Sequence, residues 1–476
     1  MSAEDYKLVT ERIGLWAAVG LLVGTAIGMS IFIVPTQMLV AAGPSITVAI
    51  AISIVPMIFG VLGLLQLGGA IPVAGGAYVY CSRLVGSFWG LLGIAVPVLA
   101  IWTYLLFAAM GFAEYLAFFS DAFISNLAAL LVVWALLVGF LFLNYLGVQL
   151  VVRVQLAMVT VLVLGLLTFV VVGLSDVNTA NFTPLFPDEG ADAPFSDSYA
   201  PLLIAIVTLY IPFQGFGMVI EIGEELQDPI KNIPRVLAIG MSIVVAVSLA
   251  VVVVLAGVLP WQAAEATIGG GGGLAAVADG FTWSGVAAFI GLAALIGAAT
   301  TINTLFTSYS RTIMRAARDD IVPNRFATIN EDHGTPAHAI VALGLPPILF
   351  APFAIYLDGI LAVDMLNWLV TVTVTGIFVT FAILGVALWR LPKLFPSRYE
   401  HSFYRLPLPL LKFVAVGNTV ISIIFGIFVA LGQPSALAVV LAWIAVATLL
   451  HQYRIRKYRK RGTDLTEKMS SLHSHE

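Results

Sequence analysis

The sequence is poor in charge. Charged residues make up 10% of its 476 residues, whereas a soluble domain carries about 25%. Cysteine is nearly absent too. Cys81 stands alone, so no disulfide can form within the chain, and it reads as a small core residue. All 6 histidines (His333, His338, His401, His451, His473 and His475) fall in connections or near the ends of apolar runs. Paired haem ligands on facing membrane helices are thereby excluded. No phosphate-binding loop, metal-ligand cluster or nucleophilic triad occurs, which argues against ATP drive and against an enzyme. Met1 to Arg12 is polar and the run behind it is too long for the apolar part of a signal peptide, so no cleaved leader is expected.

What is there is apolar length: 60% of the residues are hydrophobic. A membrane crossing needs about 20 apolar residues. Twelve runs reach that length, at about 13–40, 45–70, 88–119, 124–146, 150–174, 199–226, 233–258, 283–317, 338–356, 361–389, 409–431 and 434–453. Charge tests the count. With the N-terminus inside, the outer connections hold Asp121, Asp176, Asp188, Glu189, Asp192, Asp197, Glu265, Asp279 and Asp358 but no Lys or Arg, and all 22 Lys and Arg fall inside. A miscounted run would scatter bases to both sides. The expectation is an all-α, multi-pass protein of the cytoplasmic membrane with both termini cytoplasmic. Gly269 to Gly273 reads as a flexible external loop. The tail from Tyr453 to Arg461 reads as a basic topology signal touching anionic lipid, and 467–476 reads as disordered.

Two runs are interrupted. The first contains Gly24, Thr25, Gly28 and Ser30 at its middle, and the sixth contains Pro212, Gly215 and Gly217. Glycine permits departures from helical geometry, and small hydroxyls satisfy the backbone groups such departures free. Two interrupted crossings at corresponding places are the sequence sign of a transporter's binding site.

Four stretches carry a family likeness: Gly24 to Pro35 followed by Ala42-Gly-Pro44, Pro72 to Tyr80, Gly215 to Arg235, and Asn303 to Pro336 with Ser310-Arg311 and Asp319-Asp320. In these the chain resembles the amino acid–polyamine–organocation (APC) family of secondary transporters. The resemblance implies a LeuT-like fold with five crossings, five more inverted, and two accessory ones, twelve in all, with crossings 1 and 6 discontinuous. It divides the chain into a cytoplasmic N-terminus (1–12), a transport core (13–390, with repeats 13–174 and 199–390), accessory helices (391–453) and a basic tail (454–476). It places substrate between the two breaks. The chain departs from the pattern in having Gly28-Met29-Ser30 where Gly-Ser-Gly is common, and Gly217 where an acid often follows the aromatic. Leu162 falls where some proton-coupled relatives carry a lysine in crossing 5.

No Lys or Arg lies deep in any run, where a charge costs roughly 2.5–3.5 kcal/mol. A substrate carboxylate must then be held by backbone. Helix ends at a break expose N–H and C=O groups carrying about half a charge. The candidate substrate residues are Ala26, Ile27, Gly28, Met29 and Ser30 with Phe213, Gln214, Gly215, Phe216 and Gly217. N–H groups around 28–30 would hold the carboxylate, and carbonyls around 213–215 the ammonium; the alternative is that these glycines serve only close helix packing. By resemblance, a sodium site would use Gly24, Ile27, Gly297, Thr300 and Thr301. Its alternative is that the threonines bond back to their own helix, with proton coupling or passive exchange instead. Glu114 and Glu221 are the acids expected within crossings, as proton or gate residues. Glu224 and Glu225 are expected to pair with Arg83 or Arg235 in a cytoplasmic latch. The expected function is secondary transport of neutral or broadly apolar amino acids, with cationic amino acids or polyamines, or a transporter-like sensor, as alternatives. Expected partners are the bilayer and a small amino acid, in a monomer or homodimer, with no nucleic acid and no cofactor beyond Na+ or H+.

Overall fold

The computed structural model describes residues 13–187, 200–459 and 465–470, apart from Ala74, Gly270, Ser284, Glu331, Ala362 and Val363. The expected cytoplasmic segment 1–12, the outer acids Asp188, Glu189, Asp192 and Asp197, and tail residues 460–464 and 471–476 lie outside the described residues. The described chain is helical, with two isolated β-bridges, Ile13 to Leu226 and Asn330 to Thr335.

The first apolar run forms α1 (Leu15–Ile27) and α2 (Ser30–Ala42), separated at Gly28, where φ is 42°. A 3-10 turn at Gly43–Ser45 leads into α3 (Ile46–Ala70). Then follow α4 (Ser87–Phe119), α5 (Asn126–Tyr145) and α6 (Val148–Gly173). The sixth run gives α7 (Ala200–Thr208), an irregular stretch, and α8 (Met218–Glu221). Next come α9 (Pro229–Val258), α10 (Trp261–Ile268), α11 (Gly273–Ala278) and α12 (Val286–Arg318). The last are α13 (Ala337–Leu361), α14 (Met365–Leu394), α15 (Leu408–Gly432), α16 (Pro434–Arg459) and α17 (Leu465–Ser470). Among the described residues, 11 helical stretches are long and apolar enough to cross a membrane, the first of them the 56-residue stretch Leu15–Ala70.

Sequence pattern decides which stretches form the centre. The Ser87–Phe119, Pro201–Glu221 and Met365–Leu394 stretches are mostly buried, whereas Asn126–Tyr145 and Pro434–Arg459 are mostly exposed. The exposed ones present Leu131, Phe142, Leu441 and Leu449 outward, a face suited to lipid rather than water. Small and hydroxyl side chains concentrate on α12, where every residue from Gly297 to Ser308 is buried. That helix packs on α1, α4 and α6, while α1 also packs on α6 and α9.

The connection after α9 holds two further helices, α10 and α11, which pack on α2, with Gly269, Gly271 and Gly272 of the expected glycine loop between them. The apolar residues Ala264, Leu274 and Ala275 are fully buried there, which supplies the burial that a bare glycine loop lacks. Gly273, with φ 42°, lies so close to the Phe32 carbonyl that a side chain would overlap it. The tail is not wholly irregular. Leu465 and Met469 of α17 are buried, and Arg83 Nη1 donates to the Met469 carbonyl at 2.9 Å.

Candidate functional site between the two helix breaks

Both breaks are local consequences of glycine. Gly28 ends α1 with φ 42°, and Gly215 follows extended Gln214 with φ 102°; both lie where L side chains are strained. The first break frees the Gly24 carbonyl, which the Thr300 hydroxyl of α12 meets at 3.0 Å. Ser30 Oγ donates to the Ile27 carbonyl at 3.1 Å, and Thr25 Oγ1 to Leu21 at 2.7 Å. At the second break Gln214 N–H donates to Ile211 at 2.8 Å and Met218 N–H to Gly215 at 3.0 Å.

The two breaks touch. A Cβ on Gly215 would lie 2.9 Å from Thr25 Cγ2 and 3.0 Å from the Ala26 nitrogen. Beside this contact a cavity of about 60 Å³ is lined by Thr25, Tyr104, Gln214, Gly217, Glu221 and Tyr309, among others. That is room for a few waters, well short of the roughly 300 Å³ of an open ligand pocket. Within it, Gln214 Nε2 is buried with no hydrogen-bond acceptor among the described residues.

Of the residues expected to bind substrate, Gln214, Gly215 and Gly217 line this cavity. Ala26 meets Gly215 through its backbone, and Met29 packs on Gly111 of α4. Ser30, Ile27 and Phe213 are buried beside the breaks. Gly28 abuts Thr301 so closely that a Cβ would overlap the hydroxyl. Phe216 turns elsewhere: its ring lies over Gly60 of α3 and against Phe381, with centroids 5.3 Å apart.

Of the residues read as a sodium set, Gly24, Gly297, Thr300 and Thr301 lie together, while the Ile27 carbonyl accepts from Ser30 Oγ. Thr300 Oγ1 donates to Gly297 at 2.7 Å as well as to Gly24, Thr301 Oγ1 donates to Gly297 at 3.1 Å, and the Gly28 carbonyl would stand 2.7 Å from a Cβ on Gly297. Both hydroxyls thus bond back to their own helix, and one also ties α12 to α1. Glu221 lies in the central cavity wall. Glu114 lies apart, lining a second cavity of about 320 Å³ with Glu265 and Asp364.

Comparison with known proteins gives this arrangement a family. Residues 13–451 match the family described as Amino acid permease. The chain belongs to that family. Similar proteins include an uncharacterized transporter of Mycobacterium tuberculosis, 28% identical over 338 residues, 70% of this chain and 72% of that protein. A Branched-chain amino acid permease of Bacillus subtilis is 24% identical over 402 residues, 80% of this chain and 82% of its own length. The Large neutral amino acids transporter small subunit 2 of Oryctolagus cuniculus is 28% identical over 384 residues, 77% of this chain and 69% of the other.

The permease carries buried ion pairs at the end of α12, where a latch was expected, and their wiring differs from the expected one. Glu225 pairs with Arg311 (Nε to Oε1, 2.8 Å), both side chains being buried, rather than with Arg83 or Arg235. The Glu224 side chain lies outside the described residues. Arg83 instead pairs with Asp319 at 2.7 Å, which also accepts from the Tyr78 hydroxyl, while Arg235 stands over the Phe403 ring. The reason is helix direction: α12 carries Arg311 past the start of the Glu225 loop, which Ile13 N–H holds through the Glu225 carbonyl at 2.7 Å. Burial works to raise the Asp319 carboxyl, but hydrogen bonding and charge from Arg83, helped by Arg315, hold it below the usual carboxylate range.

Sequence reading missed a buried polar chain above this latch. Asn303 Nδ2 donates to Gln155 Oε1 at 2.9 Å, Asn144 Nδ2 to Asn303 Oδ1 at 3.1 Å, and Thr307 Oγ1 to Asn144 Oδ1 at 2.7 Å. Arg311 Nη1 then caps the Thr307 carbonyl at 2.6 Å. Amides inside apolar runs were the signal. Asn303→Leu would strand Gln155 and Asn144 in the core, at about 1–3 kcal/mol for each unpaired group. We expect a lower melting temperature in detergent, whereas Thr160→Val on the exposed face of α6 leaves it unchanged.

Proposed function

We propose that the protein is a secondary transporter that carries neutral amino acids across the cytoplasmic membrane by alternating access. The observation that carries this reading is the meeting of two glycine breaks beside a cavity whose lining, among the described residues, contains no basic side chain. A zwitterion needs opposite charges a few ångströms apart, and two helix breaks in contact supply them as backbone dipoles. N–H groups around Gly28, Met29 and Ser30 hold the carboxylate, and carbonyls around Phe213 to Gly215 hold the ammonium. Leu64, Ile101 and Ile377 in the lining suit an apolar side chain. The names of two relatives, for branched-chain and large neutral amino acids, point the same way.

Twelve crossings follow if Leu15–Ala70 counts as two. Its 56 residues would span about 84 Å as one helix, against a hydrocarbon core of about 30 Å. The segregation of all 22 bases then puts both termini in the cytoplasm, in the five-plus-five inverted arrangement with two accessory helices.

Uptake of labelled amino acids into proteoliposomes is the test. Leucine and its neutral relatives should enter and compete with one another, and lysine should not. If no amino acid enters, the reading fails. Between the two coupling ions the reading adopted here is the proton. Replacing sodium by choline should therefore leave the rate unchanged; a lost rate would restore Gly24, Ile27, Gly297, Thr300 and Thr301 as a sodium site.

A further inference from the structure

We propose that Glu221 carries the coupling proton of this transporter, taking it up and releasing it as the cavity changes side. The inference rests on the transport reading above. Glu221 is 3% exposed, forms part of the central cavity wall, and makes no salt bridge among the described residues. The neighbouring cations are committed elsewhere: Arg311 to Glu225, and Arg83 and Arg315 to Asp319. A carboxylate buried without a counter-charge stays ionised only while donors hold it, and otherwise takes a proton.

Two donors hold it here, each from a different element. The Ala77 N–H reaches Oε1 at 3.4 Å from the segment after α3. The Thr312 hydroxyl of α12 reaches Oε2. Gly76 makes the seat possible, since a Cβ there would lie 2.8 Å from Oε1. Glu221 itself ends α8, the inner half of the broken sixth run. Alternating access moves one bundle of helices against another. When α8 parts from α12 or from the Ala77 segment, the carboxylate loses a donor and its proton affinity rises. The proton comes from a hydronium in the cavity water, forming an O–H bond on the carboxylate and leaving water. The protonated acid donates to Thr312 Oγ, whose own hydrogen turns to the Ser308 carbonyl one turn back. Return of both donors expels the proton to water on the other side.

The surroundings admit a proton better than an ammonium. The cavity holds about 60 Å³, and both carboxylate oxygens are already engaged. Tyr80 and Cys81 face Glu221 from the short helical segment 76–85 after α3, and Tyr309 from α12; α1 and α3 bring no titratable side chain to it. The Asp319 latch does not compete. Its carboxyl is held below the usual range, so its contribution is complete above the unfolded value near about 4 and lost only as pH falls through the lower folded value. Dependence between pH 5 and 8 then belongs to another group.

The test is steady-state accumulation of labelled leucine in proteoliposomes with an acid exterior. One proton per substrate supports about tenfold accumulation per pH unit, a ratio set by stoichiometry and not by how fast or stable the protein is. Wild type should accumulate. Glu221→Gln should only equilibrate, at a ratio of one, at whatever rate it retains. Glu221→Asp should restore accumulation. Thr312→Val, which leaves the acid in place, should move half-maximal stimulation to higher pH by removing a donor to the ionised form. Accumulation by Glu221→Gln overturns the proposal, as does an unshifted profile in Thr312→Val. Wild type that exchanges leucine but ignores the gradient overturns it while leaving the transport reading standing. Wild type that moves no amino acid sinks both.

Discussion

Arg311→Ala should unfold far more easily than the parent protein and should expose its single thiol. The Arg311 side chain is 2% exposed and that of Glu225 1%, so truncating the arginine strands a carboxylate in a dry site. Removing one partner of a buried pair costs about 3–5 kcal/mol, and here the hydrogen bonds to the Thr307 carbonyl and Ser310 hydroxyl go as well. The comparison that separates charge from packing is the double variant Glu225→Gln with Arg311→Met. It leaves no stranded charge, and replacing both members of such a pair is often neutral, so most of the melting temperature should return. Cys81 reports whether the latch has opened. It is fully buried, and burial pushes its thiol up, so a maleimide should react slowly with wild type. Arg311→Ala should be labelled quickly. Slow labelling combined with a wild-type melting curve would show that Glu225 and Arg311 do not hold this end shut.

The second large effect belongs to Gly28. Gly28→Leu should abolish leucine binding and uptake while the protein still inserts. Its φ of 42° already strains any L side chain, by about 1–3 kcal/mol. The added carbons would also overlap the Thr301 hydroxyl, pushing α1 from α12 and deforming the N–H groups proposed for the carboxylate. Gly139→Ala on α5 is the control, since a Cβ there meets nothing within 4 Å. It should transport like wild type and gain up to about 1 kcal/mol of helix propensity. Scintillation-proximity binding of labelled leucine measures both variants. Retained affinity in Gly28→Leu would refute the backbone grip.

Particular residues show how far the primary structure could be read. Gly28 and Gly215 were legible because a glycine inside an apolar run has no reason to be there unless the chain must bend or be approached closely. Thr300 and Thr301 were legible as one helix face because their spacing from Gly297 follows the helical period. Phe216 was not. Which way an aromatic turns after a break depends on the partner surface, here the bare backbone at Gly60. Glu225 was read as a latch residue but given the wrong base, because loops hold many arginines and only packing selects one. Asn144, Gln155 and Asn303 were visible as amides in apolar runs. That they form one chain depends on α5, α6 and α12 meeting at the same depth.

Composition and pattern alone determined that this chain crosses a membrane many times and where two of its helices break. Those follow from the cost of charge and of unpaired backbone in hydrocarbon, a local matter that each residue meets on its own. The tertiary structure alone decided that the two breaks touch at Thr25 and Gly215, that Arg311 takes Glu225, and that Glu221 sits in a cavity wall held by Ala77 and Thr312. Such pairings join residues tens to hundreds of positions apart, and close packing, which no local periodicity encodes, selects among them.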